Sequence, residues 1–289
     1  MRMRFTKVES VGNDYVLFDA IEEPALARAD DLSHLAQVLS HRRTGVGADG
    51  LLILTSERGR LAMRVINADG SEGGVCGNGL RCAVKVALER GHVEPDDDGD
   101  VRVHVGGREV IASPTIESGA VQRVSIDMGP PGFGADDVPI DPAHAEHLGG
   151  ERWRIAGHEV ACASMGNPHA VVFRDDLDDP GAPRLDEIGP ALERHGAFPA
   201  RTNVHLATVA SRDRLRVVSW ERGAGATLGC GTGVCAVVAL ARRAGLVDGL
   251  CRVDVPGGAL TCSWSGDDGA GVHLEGPARM VFVGRWGSV

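Results

Sequence analysis

No apolar run in this sequence is long. The longest, VCAVVALA at residues 234–241, has eight residues, far short of the roughly 18 that a membrane-spanning helix needs. No apolar stretch follows the basic residues of MRMRFTKVES, so no secretion signal is expected. Positive charge is in deficit, with 30 Lys and Arg against 40 Asp and Glu and a formal net charge of −10. That balance argues against nucleic acid or an anionic membrane as a partner, while leaving room for a small zwitterion in a local pocket. The seven cysteines are odd in number and form no disulfide framework, in a chain large enough to fold without staples. The C-x-x-C motif of dithiol redox proteins is missing. Cys76 and Cys82 lie six apart and Cys230 and Cys235 five apart, and no structural zinc is expected from them. No lysine stands in a recognisable pyridoxal phosphate setting. The expectation is a cytoplasmic protein with reduced thiols, no metal and no cofactor.

What is present suits a globular chain: 43% hydrophobic and 24% charged residues over 289 positions, enough for two domains of about 130–150 residues. Strands are expected at residues 15–20, 51–56 and 61–67. A helix is expected over residues 30–43, capped by Asp30 or Asp31, with Leu32, Leu35, Val38 and Leu39 as its apolar stripe. VRVHV and REVIA, separated by Gly106-Gly107, have hairpin spacing, and VQRVSIDM follows as another strand. Residues 129–150, rich in Pro, Gly and Asp, read as a connection. Beyond it the style repeats, with strands at RWRIAG, AVVFRD, NVHLATV and LRVVSW, a Gly-bounded helix, the hairpin CRVDVPGGALTCSW and the strand ARMVFVGRW. The acidic stretch RDDLDDPGAPRLDE reads as a solvated surface loop. The expected domains are residues 1–127, completed by a strand at 277–289, and residues 128–276.

The organising feature is an internal repeat. NADGSEGGVCGNG at residues 67–79 and ERGAGATLGCGTG at residues 221–233 each set one cysteine among glycines. Aligned on those cysteines, Asn67 and Glu221 both sit nine residues upstream, and CGNGLRCAVKVAL matches CGTGVCAVVAL apart from two extra residues. The second helix is apolar on every side and should be buried on every side. The expected fold is therefore α/β (α+β): two pseudo-twofold-related domains, each a mainly antiparallel sheet wrapped around a central helix, with the site in the cleft between them.

A Gly-rich turn leading into a helix offers free backbone N–H groups and the positive end of the helix dipole, a setting that favours a bound anion and lowers a thiol's pKa. Asn78 and Thr232, two residues after Cys76 and Cys230, are good N-cap types. If the two halves face each other, a carboxylate bound at the converging helix starts has its α-carbon between two sulfurs. One thiolate then removes the α-proton from one face and the other thiol protonates the opposite face. Inverting a stereocentre needs one acid/base group per face, which accounts for the duplication. Cys82 and Cys235, inside the helices, and Cys162, Cys251 and Cys262, in expected strands, read as packing residues.

Five motifs carry a resemblance: GNDYVLFD, NADGSEGGVCGNGLRC, MGNPHAVVF at 165–173, RTNVHLATV at 201–209 and SWERGAGATLGCGTGVCA. Together and in this order they resemble the diaminopimelate epimerases, which interconvert LL- and meso-2,6-diaminopimelate without a cofactor and usually pair as homodimers. The resemblance implies Cys76 and Cys230 as the acid/base pair and the backbone amides of Gly77, Asn78, Gly231 and Thr232 as the carboxylate cradle. It also implies Asn13, Asn67, Asn167, Asn203, Glu221 and Arg222 as ligands of diaminopimelate, and His169 with Glu221 as residues that set the thiol pKa. That set suits a substrate with two ammonium and two carboxylate groups. One departure is Gly50, where many family members carry glutamine; no ligand role is carried over to it. Two rival readings stay open on the residues: another two-thiol racemase of related fold, proline racemase-like, and a non-catalytic binding protein that retains the repeat. The phenazine-pathway isomerases, which use a carboxylate, fit the paired thiols less well.

Overall fold

A computed structural model describes residues 2–25, 31–57, 59–177 and 184–287. Asp30 and residues 178–183 of the acidic stretch lie outside the described residues. The fold is mixed α/β and dominated by sheet. It divides into two compact units, Met1–Asp127 with Glu275–Val289, and Met128–Leu274.

In the first unit the elements run β1 (Met3–Ser10), β2 (Asn13–Asp19), α1 (Leu32–Ser40), β3 (Gly50–Glu57), β4 (Arg60–Asn67), β5 (Glu72–Gly73), α2 (Gly77–Glu89), β6 (Val101–Val105), β7 (Arg108–Glu117) and β8 (Ala120–Asp127). β1 pairs antiparallel with β2, β2 parallel with β3 and β3 antiparallel with β4. β5 lies on β4, β4 then pairs parallel with β6, and β6 antiparallel with β7 across the Gly106-Gly107 turn. α1 is capped by Asp31, whose carboxylate accepts from His34 N, and it packs Leu32, Ala36 and Leu39 into a cluster with Phe5, Phe18 and Ile53.

The second unit holds β9 (Glu146–Gly149), β10 (Arg152–Ile155), β11 (His158–Ser164), β12 (Pro168–Phe173), α3 (Leu185–Glu193), β13 (Asn203–Ser211), β14 (Arg214–Glu221), β15 (Gly225–Thr227), α4 (Gly231–Arg243), β16 (Leu250–Val255) and β17 (Gly258–Ser263), and β18 (His273–Pro277) begins in it and ends in the first. Its succession of pairings is the same as in the first unit. β11 pairs antiparallel with β12, β12 parallel with β13, β13 antiparallel with β14, β15 lies on β14, and β14 pairs parallel with β16. The last strand, β19 (Arg279–Trp286), returns to the first unit and pairs antiparallel with β1.

Each unit winds its sheet about one helix. α2 packs against β1, β2, β3, β4, β7, β8 and β19, and α4 against β11, β12, β13 and β17. All of residues 234–241 are buried, as an all-apolar helix requires. Each buried Val or Leu there contributes about 1.5–3 kcal/mol, so α4 is held by its packing and needs little intrinsic propensity.

Three expectations change. The connection at 129–150 contains a short 3-10 turn, Pro142–His144, and β9, which extends the sheet beyond β10. α3 is a helix that the sequence hides, because Pro190 sits inside it and interrupts both the pattern and the backbone hydrogen bonding. α2 and α4 are each 13 residues long and each begins directly after its cysteine. The two-residue offset between the sequences therefore moves Cys82 relative to Cys235 without lengthening a helix.

Candidate active site

The first half-site forms around the start of α2. Cys76 is itself the N-cap, with extended backbone, and its sulfur accepts from Gly79 N at 3.4 Å. Asn78, expected as a cap type, is instead the second helical residue, because the helix already begins at Gly77. The Asn78 side chain is engaged: it donates to Asn13 Oδ1 and accepts from the buried guanidinium of Arg81. Asn13 in turn donates to Asp49 Oδ2 at 3.2 Å, and Arg42 holds Asp49 at 2.7 Å and Asp14 at 2.8 Å. Burial alone would raise the Asp14 carboxyl, but Arg42 and Lys7 outweigh it and hold the group below its usual value.

Asn67 ends β4, is exposed, and donates to Ser71 Oγ at 2.9 Å. Gly50 stands between Tyr15 and Asn67 in the strand ladder. A Cβ at Gly50 would come within 2.5 Å of the Ile66 carbonyl oxygen and 3.3 Å of Asn67 Cα. The backbone is closed to any side chain there, so one could enter only with a shift of β4.

The second half-site forms around the start of α4, where Cys230 is the N-cap in extended conformation without a side-chain capping bond. Thr232 Oγ1 lies 3.6 Å from the Cys230 sulfur, in the helix rather than at its cap. Asn203 ties two loops together, accepting from Arg222 N at 2.9 Å and donating to the Pro168 carbonyl at 3.0 Å. Arg222 is exposed and donates from Nη1 to the Ala200 carbonyl at 2.9 Å. Glu221 accepts from Thr227 Oγ1 at 2.6 Å.

The two loop cysteines differ. A lowered thiol pKa was expected at both. For Cys230 the opposite holds: burial, then the charge of Glu221, push the thiol well above its usual value, and hydrogen bonds from Thr232 and Gly233 N do not compensate. Cys230 is 3% exposed, whereas Cys76 is only half-buried. Cys82, Cys162, Cys251 and Cys262 are all buried, and burial pushes the Cys162 thiol up to about 12.

Beneath this half-site runs a directed relay. His169 Nε2 lies 2.9 Å from Asn167 Oδ1, His169 Nδ1 lies 2.9 Å from His205 Nε2, and His205 Nδ1 lies 2.9 Å from Ser219 Oγ. Both imidazoles are fully buried. Burial, with His205 and Arg222 beside it, holds His169 neutral well below the usual range, and burial lowers His205 to about 3. A neutral imidazole has one donor and one acceptor, so the network assigns every proton. Asn167 Oδ1 can only accept, so His169 donates from Nε2. His205 must then donate from Nε2 to His169, and Ser219 donates to His205. The Asn167 amide is thereby fixed with its oxygen held and its NH₂ group turned away from the relay. His205 also lies against the first turn of α4: a Cβ at Gly233 would sit 2.7 Å from His205 Nε2.

Sequence reasoning missed Tyr15, His205 and Ser219. The signal for two of them was alternation. Tyr15 follows Asn13 by two on β2, and His205 follows Asn203 by two on β13, so each shares a face with an expected ligand. Among the described residues, the cluster able to offer three close metal-ligating atoms is Asp19, Glu22 and His92. Arg90 already donates to Asp19 at 2.6 Å, which leaves that cluster poorly suited to a cation. No helix among the described residues is long and apolar enough to cross a membrane.

The sequence matches the family described as diaminopimelate epimerase over residues 5–133 and 161–281. It is 40% identical to a diaminopimelate epimerase of Moorella thermoacetica, covering 98% of both chains. It is 38% identical to one of Synechocystis sp., covering 99% of both. Among solved structures it resembles a probable proline racemase from Agrobacterium radiobacter (TM-score 0.70, 15% identity, 99% of this chain and 93% of that one). It also resembles a predicted epimerase from Pseudomonas aeruginosa (TM-score 0.68, 16% identity, 99% and 100%). At such identities these structures speak for the fold alone.

Proposed function

The chain belongs to the diaminopimelate epimerase family, and from that premise we propose that it interconverts LL- and meso-2,6-diaminopimelate by passing the α-proton between Cys76 and Cys230. The observation that carries this reading is the matched placement of the two cysteines as N-caps of equivalent helices, α2 and α4, in units with the same strand succession. In this reading the units are related by a pseudo-twofold axis and the two half-sites address one substrate across a cleft. The α-carboxylate sits on the amides of Gly77, Asn78, Gly231 and Thr232, at the positive ends of both helices.

One sulfur starts as thiolate and takes the α-proton. The C–H electron pair passes into the carboxylate, whose charge the helix N-termini stabilise. The other sulfur's S–H proton goes to the opposite face, and the enzyme ends with its proton on the first sulfur. No cofactor takes part. Arg222 pairs with the distal carboxylate and Glu221 accepts from an ammonium group. Asn13, Asn67, Asn167 and Asn203 fix the remaining polar atoms, and His169 and Glu221 set the local electrostatics. Asn167, with its oxygen held by His169, offers its NH₂ group to an acceptor on the substrate.

The protein acts in the cytoplasm as a homodimer in this reading. Met280, Val281, Phe282 and Val283 of β19 are 39–56% exposed, a contiguous apolar patch of the kind that marks an interaction surface, and we assign it to the pairing of two copies.

The test is α-proton exchange in D₂O with LL-diaminopimelate, followed by NMR. Wild-type protein should incorporate deuterium as it epimerises. Cys76→Ala and Cys230→Ala should each lose at least about 10²-fold in turnover, the low end of a general acid–base contribution. Near-normal turnover in either variant would end the two-thiol reading.

A further inference from the structure

Resting on the reading that Cys76 is one of the two acid/base thiols, we infer that Tyr15 is a further catalytic residue. Its phenol donates a hydrogen bond to the Cys76 sulfur and holds that sulfur as the charged acceptor of the α-proton.

Tyr15 Oη lies 3.1 Å from Cys76 Sγ. The ring belongs to β2 and is 6% exposed, followed in the strand by Val16, Leu17 and Phe18 at 0%. The phenol is therefore delivered to the sulfur from the protein's interior, where water does not compete for it. The sulfur also receives Gly79 N from α2, so two donors from different elements converge on one atom. A neutral thiol makes poor use of that arrangement, being a weak acceptor. A thiolate uses both donors, and a hydrogen bond to a charged acceptor is roughly twice as strong as one to a neutral acceptor.

The charged groups around the pair come from several elements. Asp49, just before β3, acts on Tyr15. Glu9 of β1 and Arg81 and Lys85 of α2 act on the neighbouring Cys82, itself on α2. The phenol is the side-chain donor in direct contact with the Cys76 sulfur. Burial, then the proximity of Cys76, pushes the phenol's own ionisation well above its usual value, so it remains a donor throughout the working pH range.

The matching position in the second unit is built the other way. Cys230 has Thr232 Oγ1 at 3.6 Å and the backbone N–H of Gly233, no phenol, and the Glu221 carboxylate beside it. One thiol faces a proton donor and the other an acceptor carboxylate. In the direction of reaction that starts with the proton on Cys230, the first proton transfer is made to Cys76. In that step the C–H bond breaks and an S–H bond forms on Cys76, while Tyr15 keeps its proton. Cys230 then gives up its S–H proton to the opposite face of the carbanion.

Tyr15 is the single tyrosine of the chain, so growth on 3-fluorotyrosine changes this position alone. Iodoacetamide alkylation of Cys76 is followed against pH by peptide mass in wild type, Tyr15→Phe and the fluorotyrosine protein, alongside diaminopimelate epimerisation. Loss of the phenol should move the alkylation midpoint up by about one pH unit, equivalent to a tenfold loss of reactive sulfur on the acid side, with a similar fall in kcat near neutrality. The fluorinated phenol is more acidic and a stronger donor in an almost unchanged shape, and should move the midpoint down. An unmoved midpoint in Tyr15→Phe, or shifts in the same direction for both changes, overturns the inference. Opposite shifts in a wild-type protein that fails to epimerise diaminopimelate leave the Tyr15–Cys76 pair standing and refute the proposed reaction instead.

Discussion

The buried pair His169–His205 makes the second unit sensitive to mild acid, and the size of the effect can be worked out. Burial lowers both imidazoles, His205 to about 3, whereas the unfolded chain titrates near pH 6.5. The unfolded state therefore takes up protons that the folded unit refuses. Stability from this source is complete above about pH 6.5 and is lost as pH falls, for His205 down to about 3. pH 5 lies about 1.5 units below the unfolded value, so His205 alone costs about 2 kcal/mol there, and His169, lowered in the same direction, adds to that cost. With a urea m-value of about 2 kcal/mol per molar, the midpoint should fall by at least about 1 M between pH 7.5 and pH 5. Trp153, Trp220 and Trp264 all lie in this unit, so tryptophan emission follows its unfolding. His205→Phe keeps a ring against Gly233 but removes one titrating group, so the slope with pH should become shallower. It also leaves His169 Nδ1 and Ser219 Oγ without their partner, a pH-independent loss of about 1–3 kcal/mol for each unsatisfied group. A wild-type midpoint that stays flat from pH 7.5 to 5, or a variant with an unchanged slope, would refute the neutral relay.

Two further outcomes are expected. Arg222→Met should reduce kcat as well as binding of diaminopimelate, because energy from a remote carboxylate drives closure; a kcat/KM for lysine equal to that for diaminopimelate in wild type would overturn the distal assignment. Val281→Lys combined with Val283→Lys should give a monomer by light scattering, and a dimer that survives both charges would move the interface away from β19.

Much of this arrangement was legible in the sequence for physical reasons. An apolar run with no polar face, 234–241, can only be a buried helix, and glycines around a cysteine before such a run mark a helix start. Two Gly-flanked cysteines followed by matching sequences implied a repeated unit. Other features were not legible. α3 was masked by Pro190, whose packing environment makes up for a poor local signal. The raised ionisation of Cys230 depends first on burial and then on Glu221, nine residues earlier, which the turn from β14 into β15 brings close to the sulfur. Tyr15 and His205 read as ordinary strand residues, because their partners Cys76 and His169 are far off in sequence and meet them only through strand register and helix packing.

The pairing of β1 with β19 has a consequence for the way the protein is born. β1 is flanked by β2 and by β19, paired from Met3 opposite Trp286 to Glu9 opposite Arg279 with a register shift between Lys7 and Val8. The whole of Met128–Leu274 lies between those partners in the chain. At ribosomal rates of about 5–20 residues per second, β1 waits on the order of tens of seconds for its second neighbour. The contiguous unit carrying Cys230 completes itself first, although it is made second. Until β19 emerges, Phe5 lacks the edge-on ring of Phe282, and a nascent sheet edge stands open for chaperones or for a neighbouring chain to find. The half of the molecule that carries Cys76 is thus the first to be translated and the last to mature.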